Sequence, residues 1–343
     1  MLSEKIRFGL IGCGAVAAKH IEAIGRLRNS TILAVADKDR CRVQEAANRV
    51  SADMYLDYRF ILDRPDIDAV IIATPSGLHA KMTLESLDAG KHVLVEKPMA
   101  MTVEDADLMI EMSGSKKKAL GVVYHNRFNQ ASQILKTAVE SGKLGRLIWG
   151  SASVRWYRPQ KYYSESGWRG TEAMDGGVLM NQAIHHIDLL LWLMGDVDQL
   201  SAFRATLGHD IEAEDTAVAS LRFRSGALGS IDATTCAYPE NLEETLTIIG
   251  TQGSVVMGGK KLDSFRFWNV PSVPMTPVLE DRPNWYGHYE VLRDFTESLL
   301  HGRAPSVDGT EGRKSLALVR WIYQQTPIMR FPRGGDSLCK PTN

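Results

Sequence analysis

Short apolar runs alternate with helical patterns over the first 125 residues of the chain. Residues 6–11, 31–36, 69–73, 92–95 and 119–123 are brief, mostly apolar and bounded by glycine, proline or polar residues. That pattern predicts strands buried on both faces. The intervening stretches read as helices at roughly 16–27, at 80–89 closed by Gly90, and at 102–113, where Thr102 is placed as the cap and Glu104 and Asp105 fall in the first turn. Repeated strand–helix units of this kind form a parallel, doubly wound α/β sheet. From about residue 145 the texture changes. Strand patterns at 147–156, 200–205, 216–223, 227–235 and 244–249 predict a large, mostly antiparallel sheet with an exposed face suited to an oligomer contact. An apolar helix at 178–194 interrupts them, and helices at about 289–300 and 309–325 return to the body of the protein. The proline-rich stretch 269–284 reads as a loop, and the residues from Gly334 as a flexible tail. The expected organisation is an α/β domain in 1–125, an α+β domain in 126–333, and a tail in 334–343.

Chemistry begins at the first turn. Gly12-Cys13-Gly14-Ala15-Val16-Ala17 follows the first strand and opens the first helix, a G-x-G-x-x-A form of the dinucleotide fingerprint. Gly12 permits the tight turn, Gly14 lets backbone approach a pyrophosphate, and Ala17 allows close helix–sheet packing, while Ala15 and Val16 lead into a helix N-terminus aimed at that phosphate. Asp37 ends the second strand, twenty residues past Ala17. An acid there accepts hydrogen bonds from ribose hydroxyls and repels a 2′-phosphate, which favours NAD over NADP despite the nearby Lys38 and Arg40. The first domain is therefore expected to be a Rossmann domain. Thr74-Pro75-Ser76 with His79, Glu96-Lys97-Pro98, and Tyr124-His125-Asn126-Arg127 each follow a strand and are expected to ring the cofactor crevice.

Two of these segments point to alcohol oxidation. Lys97 sits between Glu96 and Pro98 at a strand end, and Asn181, His185 and Asp188 fall at i, i+4 and i+7 on one face of the apolar helix after Gly176-Gly177. Oxidising an alcohol needs a base for the hydroxyl proton and a positioned nicotinamide for the hydride. His185 suits the base role near neutral pH, and Lys97 suits stabilisation of the developing alkoxide. Arg155, Arg158, Lys161 and Arg169 lie among Trp156, Tyr157, Tyr162, Tyr163 and Trp168, a mixture that suits a phosphate, a carboxylate and a stacked ring. Asp175, His186 and His79 lack metal-ligand spacing, so no metal is expected.

The order of these motifs resembles the glucose–fructose oxidoreductase / inositol dehydrogenase / MocA family over nearly the whole chain. Trp156 to Tyr163, Gly167 to Gly170, Met180 to Ala183, Ile211 to Thr216 and Tyr238 to Glu243 resemble one branch, the UDP-N-acetyl-2-amino-2-deoxyglucuronate 3-dehydrogenases. The resemblance implies NAD-dependent oxidation of a UDP-linked amino-sugar uronate at C3, ahead of transamination, in bacterial surface polysaccharide synthesis. It implies Lys97 and His185 as catalytic residues and Asn181 at a position where inositol dehydrogenases carry aspartate. It also implies Trp168 and Arg169 near the cofactor and His125 near the nicotinamide. Arg127, Arg155, Arg158, Lys161 and Tyr163 join Asn181 as expected substrate contacts. The segment 262–286 departs from the branch, which keeps a free-sugar or inositol dehydrogenase as an alternative. A non-catalytic NAD-bound regulator is the reading from another class, and the presence of both Lys97 and His185 argues against it.

Composition narrows the field. With 40 basic and 41 acidic residues the net charge is −1, which favours neither a nucleic-acid nor a membrane partner. Cys13, Cys41, Cys236 and Cys339 form no metal or redox spacing, and no apolar run is long enough to span a bilayer. A reduced, cytoplasmic homo-tetramer or homo-dimer is the expectation.

Overall fold

The computed structural model describes residues 5–259, 262–271, 273–274 and 282–330. Two sheets organise the chain. The first contains β1 (Ile6–Ile11), β2 (Ser30–Ala36), β3 (Asp53–Tyr55), β4 (Ala69–Ile72), β5 (His92–Val95) and β6 (Leu120–Val122) in the order β3-β2-β1-β4-β5-β6, all parallel. The order reverses between β1 and β4, so a crevice opens beyond their carboxyl ends. Strand periodicity divides the core. Ile6, Phe8, Leu10, Ile71 and Leu94 face one buried cluster, and Ile11, Ile72, Val93 and Val95 face the other. The first cluster is closed by helix Ala17–Ile24 and by the late helix Tyr286–His301, whose Phe295 lies 6.4 Å from Phe8 ring to ring. The expected return of the late helices is thereby observed. Thr102 caps helix Val103–Lys116 by accepting from Asp105 N, as its position predicts.

The second sheet contains β7 (Leu147–Arg155), β8 (Val197–Thr206), β9 (Thr216–Phe223), β10 (Leu228–Thr234), β11 (Glu243–Gly250), β12 (Ser254–Gly258), β13 (Ser264–Asn269) and β14 (Met329–Arg330). Its order is β13-β12-β11-β7-β10-β9-β8-β14, antiparallel except for the β7–β10 and β8–β14 pairs. The alternating exposure of β9 leaves Val218 and its neighbours Phe203 and Leu228 on an open face, while helices cover the other.

The segment expected as one helix over 178–194 is two structures. Val178–Ala183 is a wide π-helical turn, and the α-helix proper is Ile184–Met194. A physical cause lies beneath it. Glu214 packs so tightly under the turn that a Cβ on Gly177 would meet its carboxyl carbon at 2.2 Å. The expected loop at 269–284 falls partly, and the expected tail wholly, outside the described residues.

Candidate active site

The crevice is a cleft of about 700 Å3. Its first wall is the glycine turn. Gly12 has φ +94° and an added Cβ would lie 2.5 Å from the Ala73 carbonyl, so only glycine fits there. Gly14 has no neighbouring heavy atom within 4 Å of its Cβ position, which leaves an open approach to the main chain where helix Ala17–Ile24 begins. Ala15 follows it, and Val16 lines the cleft. Asp37 accepts from Cys13 N at 2.7 Å and from Asp39 N at 2.9 Å, which fixes its carboxylate at the end of β2. Open backbone, helix N-terminus and fixed acid fit a dinucleotide. Burial pushes the Cys13 thiol up to about 12, so it stays protonated. Thr74 and Ser76 line the cleft, with Pro75 between them. His79 faces the carbonyls of Thr74 at 2.9 Å and Pro98 at 2.7 Å and ties these two loops together.

Lys97 and His185 meet in this cleft, although 88 positions (185 − 97) separate them. Lys97 Nζ donates to Asn181 O at 2.7 Å and lies 3.4 Å from Asn181 Oδ1. Burial pushes the ammonium pKa below its ordinary value, against the pull of Glu96 and Asp175. Asn181 Nδ2 donates in turn to Asp175 Oδ1. Burial raises Asp175 to about 6, against the opposing effects of Gly170 N–H and Lys97. Glu96 is not the partner of the Lys97 ammonium. Its Oε1 faces His20 Nε2 at 2.9 Å and His288 Nε2 at 3.4 Å. Burial works against its charge, yet those two histidines hold the carboxyl well below the usual range.

The imidazoles form a row that the sequence did not reveal. Ring centroids of His20 and His288 are 5.0 Å apart, His288 and His125 4.9 Å, and His125 and His185 4.4 Å. Burial drives His125 and His185 well below 6.5 and His288 to about 4. A neutral His185 can accept a proton, and no imidazolium competes with a cationic ring beside it.

The other half of the cleft differs from the expectation. Asp188 turns away from it. Arg127 binds both Asp188 oxygens at 2.7 Å and Glu311 at 2.9 Å, and Arg127 and Asp188 are 4% and 1% exposed. Arg127 is therefore a buried structural cation, because its fork is filled by carboxylates. Arg155 is likewise engaged by Asp232 and Glu243 across neighbouring strands. Lys161 is an exposed cation 3.4 Å from Glu165. Tyr163 is buried with its hydroxyl on Thr235 at 2.9 Å. None of these four lines the cleft. Arg158 stands behind the wall, 4.9 Å from the Trp156 ring, and holds Gln182 Oε1 at 3.2 Å. Trp168 lines the cleft, and Arg169 lies 5.5 Å from its ring and 4.2 Å from that of Tyr162.

Residues absent from the expectation complete the wall: Lys19, Trp156, Gln182, His288, and the buried pair His186 and Glu244, 2.9 Å apart. Only the doubled His185-His186 gave a sequence signal for any of them. Two clusters bring three possible metal-ligand atoms within 4.8 Å of one another, His20–Glu96–His288 and His209–Asp215–Cys236. Neither includes Asp175, His186 and His79.

A dinucleotide cleft with a lysine, an asparagine and a neutral histidine at its floor defines an NAD-dependent sugar-type dehydrogenase. The chain belongs to the GFO/IDH/MocA oxidoreductase family: residues 6–124 match the oxidoreductase family, NAD-binding Rossmann fold, and residues 132–256 match the GFO/IDH/MocA C-terminal domain. It is similar to the WlbA dehydrogenase from Bordetella pertussis solved with NADH and UDP-GlcNAcA. That match has 39% identity and a TM-score of 0.88, covering 95% of this chain and 96% of that one. The WlbA dehydrogenase from Chromobacterium violaceum, solved with the same pair, is 38% identical with a TM-score of 0.87, covering 95% and 94%. Myo-inositol 2-dehydrogenase of Thermotoga maritima is 26% identical, with 91% of this chain and 94% of that protein covered. No helix among the described residues is long and apolar enough to cross a membrane.

Proposed function

We propose that this enzyme oxidises the C3 hydroxyl of a UDP-linked amino-sugar uronate, of the UDP-N-acetylglucosaminuronate type, to a ketone for bacterial surface polysaccharide synthesis. The carrying observation is Lys97 held by Asn181 at the cleft floor, in a chain similar along 95% of its length to a dehydrogenase solved with NADH and UDP-GlcNAcA. NAD, when bound, accepts the hydride from the carbinol carbon. His185, neutral through burial, takes the hydroxyl proton. Lys97 keeps an N–H free of Asn181 for the reacting oxygen and stabilises the alkoxide as it develops. Trp156 and Trp168 supply ring faces for the sugar or base, and the open face of the second sheet is the surface for a dimer or tetramer.

The rival reading, a free-sugar or inositol dehydrogenase, draws on Arg155 and Lys161 standing outside the cleft, since a pyrophosphate needs cations. Initial rates of NADH formation with UDP-N-acetylglucosaminuronate, myo-inositol and glucose decide between the two. Turnover of the nucleotide sugar alone is expected. Turnover of a free polyol with silence on the nucleotide sugar overturns the proposal.

A further inference from the structure

A second cavity, of about 210 Å3, lies behind the turn that carries Asn181. Its walls combine Gly177 and Met180 of that turn with Arg204 on β8, Glu214 just ahead of β9, and Arg320 and Tyr323 of helix Gly309–Gln325. Glu214 is 1% exposed. Its Oε1 is satisfied by Leu179 N at 3.1 Å and the Tyr323 hydroxyl at 2.7 Å. Its Oε2 accepts no hydrogen bond, and the nearest cation is Arg204 Nη1 at 3.6 Å. Arg204 is itself committed, with Nε donating to Thr326 O at 2.7 Å. A buried acceptor without a donor costs on the order of 1–3 kcal/mol, so Oε2 is an incentive for a ligand N–H.

Arg320 presents the opposite deficit. Its guanidinium lies 5.9 Å from the Tyr323 ring centroid and has no carboxylate partner among the described residues. One cavity therefore offers a carboxylate oxygen lacking a donor and a guanidinium lacking an acceptor, with Met180 as an apolar wall between polar ends. A simple anion meets Glu214, and a simple amine leaves Arg320 unmatched. The volume is on the order of seven water molecules at about 30 Å3 each, too small for a dinucleotide or a nucleotide sugar.

We propose that this cavity binds a small zwitterion, a free α-amino acid, with its ammonium on Glu214 Oε2 and its carboxylate on Arg320. The site is separate from the catalytic cleft and independent of which sugar that cleft oxidises.

The test is calorimetric titration of the full-length protein, saturated with NADH, with L-alanine, L-serine, L-glutamine and L-glutamate. Propylamine and propionate serve as single-charge probes. Saturable one-to-one binding of at least one amino acid is expected, with the single-charge probes at least about tenfold weaker, a difference of about 1.4 kcal/mol. Arg320→Leu and Glu214→Gln should each weaken the amino acid by a similar factor. Arg320→Leu should leave NADH affinity unchanged, which shows that the fold survives. The proposal is overturned if no amino acid binds saturably, if propylamine or propionate binds as well, or if Arg320→Leu binds like the parent protein.

Discussion

Lys97 Nζ donates to the main-chain oxygen of Asn181 at 2.7 Å, and Asn181 Nδ2 donates onward to Asp175. The wide turn at Val178–Ala183 presents that carbonyl to a side chain, and such turns recur at functional sites. The lysine is thereby held by dipoles, with the nearest carboxylate one residue further away. This lowers the cost of its acting on a neutral hydroxyl.

Exchanging Asn181→Asp would set a second carboxylate against Asp175. Like charges in contact raise a carboxyl pKa. The penalty is present while both are ionised and relieved as pH falls through the raised pKa. Urea unfolding at pH 8 should show a loss of about 1–3 kcal/mol that shrinks at pH 5. Equal stability of variant and parent at pH 8 would contradict the contact.

Asp175 should write itself into the pH profile. Its carboxyl titrates at about 6, and its anion supports the Lys97 ammonium. In Asp175→Asn the Lys97 pKa falls further. The alkaline limb of kcat/KM, where the ammonium is lost, should move to lower pH, and an inflection near 6 should vanish. Superimposable profiles would remove Asp175 from the site's electrostatics.

The Arg127–Asp188 pair is a structural bond. Arg127→Met strands Asp188, at 1% exposure, and should cost about 3–5 kcal/mol. Arg127→Met with Asp188→Leu should recover much of that loss. Denaturant midpoints of the single and double variants read the difference, and an undiminished midpoint in the single variant would return Arg127 to the list of substrate contacts.

His209 predicts an alkaline weakness. Burial penalises its charge, but hydrogen bonds to Asp215, Cys236 and the Arg158 carbonyl raise it to about 10. The raised pKa means stability fully present below about 6.5, the ordinary histidine value, and lost as pH climbs through about 10. The stability gap between parent and His209→Gln should therefore narrow from pH 6 to pH 10. A constant gap would mean that His209 is neutral in the folded protein.

Local patterns carried much of this architecture. Five strands of the first sheet and the first five of the second are readable as apolar runs, because each buries a face. β3 has only three residues, two of them exposed, and β12 to β14 are too short or too exposed to signal. The parallel β7–β10 pair is a long-range fact without a local signature. At the site, Lys97, Asn181 and His185 were legible because motif and helical spacing point the same way. The basic cluster misled for a physical reason: Arg127 and Arg155 neutralise carboxylates 61 to 88 positions distant, and nothing near them in sequence marks those partners. His288 and Glu244 reach the cleft from distant elements in the same way.

The most direct measurement is the rate of NADH formation by Lys97→Ala at saturating UDP-N-acetylglucosaminuronate, beside its affinity for NADH. A loss of about 10²–10³ in kcat with cofactor affinity retained is expected. Full turnover by Lys97→Ala would contradict the account.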